Sequence, residues 1–151
     1  MDKNFSEFSS LDSKAIIIEL KIAHEAILKL LDQIQAVMHA YPKAKPFVRE
    51  LQDLLLNHFE RQNRKLIGFL QSVAMEHNDQ SKDAHFLLQD LKDIKIKTWF
   101  FIDEHPADMG DVNPKNFIAD FKDFSLCLSF RIKTERDRLI PLLESIFKNN
   151  S

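Results

Sequence analysis

His24, His58, Gln62, Arg131 and Glu135 interrupt stripes of apolar residues that otherwise repeat at helical spacing, and His85 sits at the edge of another such stripe. Imidazole nitrogens and carboxylates are the side chains that ligate transition metals. The same groups also build buried hydrogen-bonded networks around a charge. Arg131 and Glu135 are four residues apart and share one helix face. If that face is the inner one, the two charges must pair with each other or with another interior group, because an unpaired buried charge costs several kcal/mol. A single inward histidine, or a single Arg–Glu pair, is ordinarily a structural feature. Their coincidence on three or four helices points to a site, or to the remains of one.

The stripes define the elements that must position these groups. Helix A, over 13–39 with Ser13 as N-cap, carries Leu20, Ala23, Ile27, Leu31 and Ile34, and His24 lies in that series. Helix B, over 46–75 with Pro46 in its first turn, carries Leu51, Leu54, Leu55, Leu66, Phe69 and Leu70, interrupted by His58 and Gln62. Helix C, over 81–104 with Asp79 or Ser81 as cap, repeats Ala84, Leu87, Leu91, Ile94, Thr98 and Phe101 and stops at His105–Pro106. Helix D, over 114–147, starts at Asn113–Pro114 and runs through Phe117, Phe121, Phe124, Leu128, Leu139, Leu142 and Ile146, with Arg131 and Glu135 between. Short connections favour an all-α, antiparallel, up-down-up-down four-helix bundle, in one domain over 1–151. Antiparallel packing brings the middles of the helices, and so the polar residues, to one level.

Composition agrees with this and excludes other classes. Only 2 glycines and 5 prolines in 151 residues are too few for the many tight turns of a sheet protein. Hydrophobic residues at 44% are enough for a packed core, so disorder is not expected. The formal net charge of -2, with scattered lysines and arginines, offers no surface for a nucleic-acid backbone. No apolar run is long enough for a membrane span, and the first residues lack the apolar segment of a secretory signal. The single cysteine, Cys127, cannot form an internal disulfide and reads as a buried small hydrophobe, which suits a cytoplasmic setting. The 13 phenylalanines read mainly as core. His39, His77 and His105 fall at helix ends or loops and read as solvated.

The blocks Ala23–His24–Glu25, His58–Phe59 with Gln62 and Leu66–Ile67, Ala84–His85 with Leu88, and Arg131-x-x-x-Glu135 followed by Leu139–Ile140–Pro141 together resemble the hemerythrin-like HHE cation-binding family. That family places a His on helix A, His-x-x-x-Glu on B, His on C and His-x-x-x-Glu on D around a non-haem iron centre, usually of two metals. The resemblance spans roughly 13–147 and implies a metal set of His24, His58, His85 and Glu135. It departs from the family at two ligand positions. Gln62 is neutral where a bridging glutamate is expected, and Arg131 has no lone pair where a histidine is expected.

Two outcomes remain open. Either His24, His58 and Glu135, with or without His85, hold one iron rather than two, or no metal is held and the Arg131 guanidinium replaces the missing cation. His58–Phe59 and Arg131–Ile132-x-x-Glu135 also look similar to the Rsd/AlgQ regulators, helical bundles that bind the housekeeping sigma factor. The first resemblance implies an iron-, oxygen- or nitric-oxide-responsive factor. The second implies a metal-free regulator with a protein partner. No nucleophile–base spacing or glycine-rich phosphate loop suggests an enzyme.

Overall fold

A computed structural model describes residues 10–59, 63–76, 79–106 and 114–149. Among these residues the chain is helical, with no strand. Helices α1 (Ser10–Val37), α2 (Tyr41–Asn57), α3 (Asn63–Ala74), α4 (Ser81–Glu104), α5 (Pro114–Thr134) and α6 (Ile140–Asn149) follow in order, with a π-helical turn, Glu135–Leu139, joining α5 to α6. No described helix is long and apolar enough to cross a membrane.

The stripes bury as their spacing requires. Leu20, Ala23, Ile27, Leu31 and Ile34 on α1 are buried, as are Ala84, Leu87, Leu91, Ile94, Thr98 and Phe101 on α4. Buried residues from α1 through α6 form one contiguous hydrophobic cluster. α1 packs chiefly on α2, α3 on α4, and α4 on α5, while α1 also meets α5 and α6. Phe101, Phe117, Phe121 and Phe124 form an aromatic block between α4 and α5, with Phe101 and Phe124 stacked at 4.6 Å.

Several boundaries differ from the sequence reading, each for a local reason. α1 begins at Ser10, so Ser13 lies within the helix rather than capping it. α2 begins at Tyr41, not at Pro46, and Pro46 lies inside it. Pro42 near the helix start needs no N–H donor there. Pro42 and Pro46 are both exposed, so the carbonyl left without a partner by the second ring lies on the solvent side. The residue preceding α4 is Gln80, which makes no side-chain cap.

The single helix expected over 46–75 is instead α2, a π-helical step at 58 and 59, and α3, with 60–62 outside the described residues. The single helix expected over 114–147 is interrupted by the π turn, where the Ile140 N–H donates to the Glu135 carbonyl five residues back. Such wide turns are rare and tend to mark functional sites. Glu135 and Leu139 are buried, while the three residues between them are exposed. Arg138 of this turn pairs with Asp83 at 2.8 Å and lies 3.9 Å over the Phe86 ring, which ties it to the start of α4.

Not every apolar residue is inside. Phe100, Leu126 and Phe130 are 66%, 73% and 65% exposed, so the phenylalanines are not all core. Cys127 is half-buried rather than buried, and Lys97 Nζ donates to its Sγ at 3.6 Å. The core itself is tight at Leu55, which is fully buried. Leu55→Ala should therefore cost about 2–5 kcal/mol of stability, to be read as a lowered midpoint in urea unfolding with unchanged slope.

Candidate functional site

His24 on the inner face of α1 and His58 just past α2 meet Glu135, the first residue of the π turn. All three are almost fully buried, as is Arg131 one turn earlier on α5. His24 Nε2 lies 2.7 Å from Glu135 Oε2, and His58 Nε2 lies 3.8 Å from Oε1. Arg131 Nη1 donates to Asp90 Oδ2 of α4 at 2.5 Å, and its Nε lies 3.4 Å from Glu135 Oε1. The guanidinium therefore sits between two carboxylates from different elements, one buried and one a quarter exposed.

Burial alone would push the Glu135 carboxyl up. The hydrogen bond from His24, the nearby imidazole of His58 and the charge of Arg131 outweigh it and hold the group well below the usual carboxylate range. Glu135 is therefore an anion inside the protein. An ionised carboxylate can only accept, so His24 Nε2 carries the proton and donates. Among the described residues, the Arg131 Nε and Nη2 hydrogens and His24 Nδ1 have no hydrogen-bond partner. Arg131 Nε is close enough to Glu135 for Coulomb attraction but is not aligned for a hydrogen bond.

The six residues singled out in the sequence fall in three places. His24, His58, Arg131 and Glu135 come together. His85 is exposed and lines a separate surface cavity with Phe59, Ile67 and Leu88. Gln62 lies outside the described residues. Among the described residues, no group of three His, Cys, Asp or Glu side chains is placed to hold a metal ion. Arg131 has no lone pair and carries a fixed charge beside the carboxylate. The nitrogen of His24 that faces that carboxylate is protonated. These donors do not fit the two-metal centre that the family resemblance implies.

Asp90 was not foreseen. It adjoins Leu91 on the stripe of α4, and no spacing rule distinguishes it from the other exposed-edge acids of that helix. A second network also escaped. His105, expected in solvent, is buried, because the series Ile94, Thr98, Phe101 continues to it at a spacing of four. His105 Nε2 lies 2.7 Å from Asp120 Oδ2 of α5, and Gln52 of α2 donates to the His105 carbonyl at 2.8 Å. The carbonyl just past α4 thus finds its partner on α2. The ring packs against Phe101 and Phe117, next to Tyr41, whose phenol burial pushes up.

Comparison with protein-family models, with curated proteins and with solved structures finds no match to the chain.

Two outcomes follow from this geometry. Arg131→Ala leaves Asp90 and Glu135 without their cation and should destabilise the fold by about 3–5 kcal/mol, measured by urea unfolding; an unchanged midpoint would show that the pair contributes nothing. Because the folded carboxyl of Glu135 titrates below its unfolded value of ~4.3, its contribution is complete above that pH and is lost as pH falls toward the folded value. Glu135→Gln should flatten the stability–pH curve on that acid side while leaving its shape near neutrality.

Proposed function

We propose that the chain is an antiparallel, up-down-up-down four-helix bundle of hemerythrin-like architecture that works without a metal, as a non-enzymatic regulator that binds a protein partner. The observation that carries this reading is Arg131, which is 2% exposed and charge-paired to Asp90 and Glu135. A guanidinium at a ligand position of the family's pattern supplies the positive charge that the remaining carboxylate needs. It does so by Coulomb attraction rather than coordination, while a charge-assisted hydrogen bond holds the guanidinium on Asp90. With the interior closed by its own charges, function falls to the outer faces. There the large exposed apolar side chains of α1, α4 and α5, among them Ile22, Phe100, Leu126 and Phe130, support a protein contact. The similarity of His58–Phe59 and Arg131-x-x-x-Glu135 to the Rsd/AlgQ regulators agrees with such a role.

A second reading, one iron on His24, His58 and Glu135, is favoured by the approach of both Nε2 atoms to one carboxylate. The two readings part on metal content. Untagged protein exposed anaerobically to Fe(II) and then dialysed should retain no stoichiometric iron. Arg131→His, which replaces the fixed charge by an imidazole, should raise the retained metal. One iron per chain in the unmodified protein, lost in His58→Ala, would establish the second reading and end the first.

A further inference from the structure

Between α4 and α5 runs an open groove of about 440 Å³. Its floor is Phe101 and Phe124, whose rings stack nearly parallel at 4.6 Å and give a flat apolar surface. Phe100, 66% exposed, stands on the rim. The charges around it are unequal. Glu104, Asp120 and Asp123 line it and are exposed, against the one ammonium of Lys97. Lys97 is turned to Cys127 at the same groove, and Asp120 is held by His105, so the acidic rim is anchored to the buried network behind it.

The geometry points to this groove as the docking site for a basic amphipathic segment of a partner protein, apolar on the side that meets Phe100, Phe101 and Phe124 and carrying Lys or Arg toward Glu104 and Asp123. This names the surface and the partner chemistry of the regulator reading and rests on it. Complementarity of charge and apolar surface selects the occupant. A nucleic acid would meet three carboxylates and be repelled. A small molecule needs a site that covers most of its surface, and an open groove with one of its three phenylalanines two-thirds in water does not provide one. A second copy of a chain of net charge -2 would bring like charge to an already acidic rim.

The test uses the full chain and two synthetic helical peptides of equal apolar content, one Leu/Lys and one Leu/Glu, titrated by calorimetry. The Leu/Lys peptide should bind, the Leu/Glu peptide should not, and binding should weaken with added salt. Phe100→Ala should weaken it on the order of tenfold or more. Glu104→Lys with Asp123→Lys should abolish its salt dependence and most of its affinity. Met75→Ala, exposed and away from the groove, should leave it unchanged. The substituted side chains are exposed, so helix content by circular dichroism should match the parent, and the comparison of the two peptides needs no substitution at all. Equal binding of both peptides, no binding of the Leu/Lys peptide, or indifference to both groove variants would overturn the assignment. So would a dimer in sedimentation that Phe100→Ala dissolves, which would make a second copy the occupant. Failure with metal-free protein overturns the groove alone. Stoichiometric iron in the chain overturns the regulator reading whatever the peptides do.

Discussion

A guanidinium enclosed between two carboxylates is the constraint on which the interior depends. Arg131 reaches Asp90 on α4 and approaches Glu135 at the π turn, and Glu135 in turn takes a hydrogen bond from His24 on α1. Three separate stretches of chain, α1, α4 and the continuous segment of α5 and the π turn, must therefore arrive at one level before both carboxylates are paired. Desolvating Arg131 and Glu135 opposes folding, and their mutual attraction offsets that cost only in this arrangement. A helical pairing in a different register would leave a charge buried alone. The network thus specifies one packing of the helices more than it adds net stability.

The π turn lies where the polar cluster meets the apolar core. Glu135 opens it, and the three residues that follow are exposed. His58 stands at the corresponding irregularity after α2. Both wide turns deliver a polar side chain to the same interior point, which links the departures from regular helix to the polar cluster and not to chance defects in the stripes.

The network at His105 works differently. It sits where α4 ends, and it joins α2, α4 and α5 through Gln52, the His105 carbonyl and Asp120. Its histidine fills an apolar aromatic environment while its polar edge reaches a half-exposed carboxylate. That carboxylate also belongs to the acidic rim of the α4–α5 groove. The interior therefore fixes the geometry of an outer surface, and the two aromatic rings that floor the groove are part of the same core block.

Much of this was legible in the residues alone. The three-four repeat determined the helical class and the inner faces, because burial of apolar area is decided by periodicity that one helix already displays. It also placed His24, His58, Arg131 and Glu135 inside, since each interrupts a stripe without shifting its phase. Even His105 was available by the same rule, as the next step after Phe101, and was obscured by the proline that follows it. Three things belonged to tertiary structure. Asp90 entered because only the packing of α4 on α5 brings a stripe-edge acid within reach of Arg131. His85, on the opposite flank of the α4 stripe from Asp90, stayed outside. The π turn at Glu135 is the third, a backbone departure that the uninterrupted three-four repeat of that helix does not announce. Sequence spacing describes one helix at a time, whereas the partner of a buried charge is chosen by the helices that surround it.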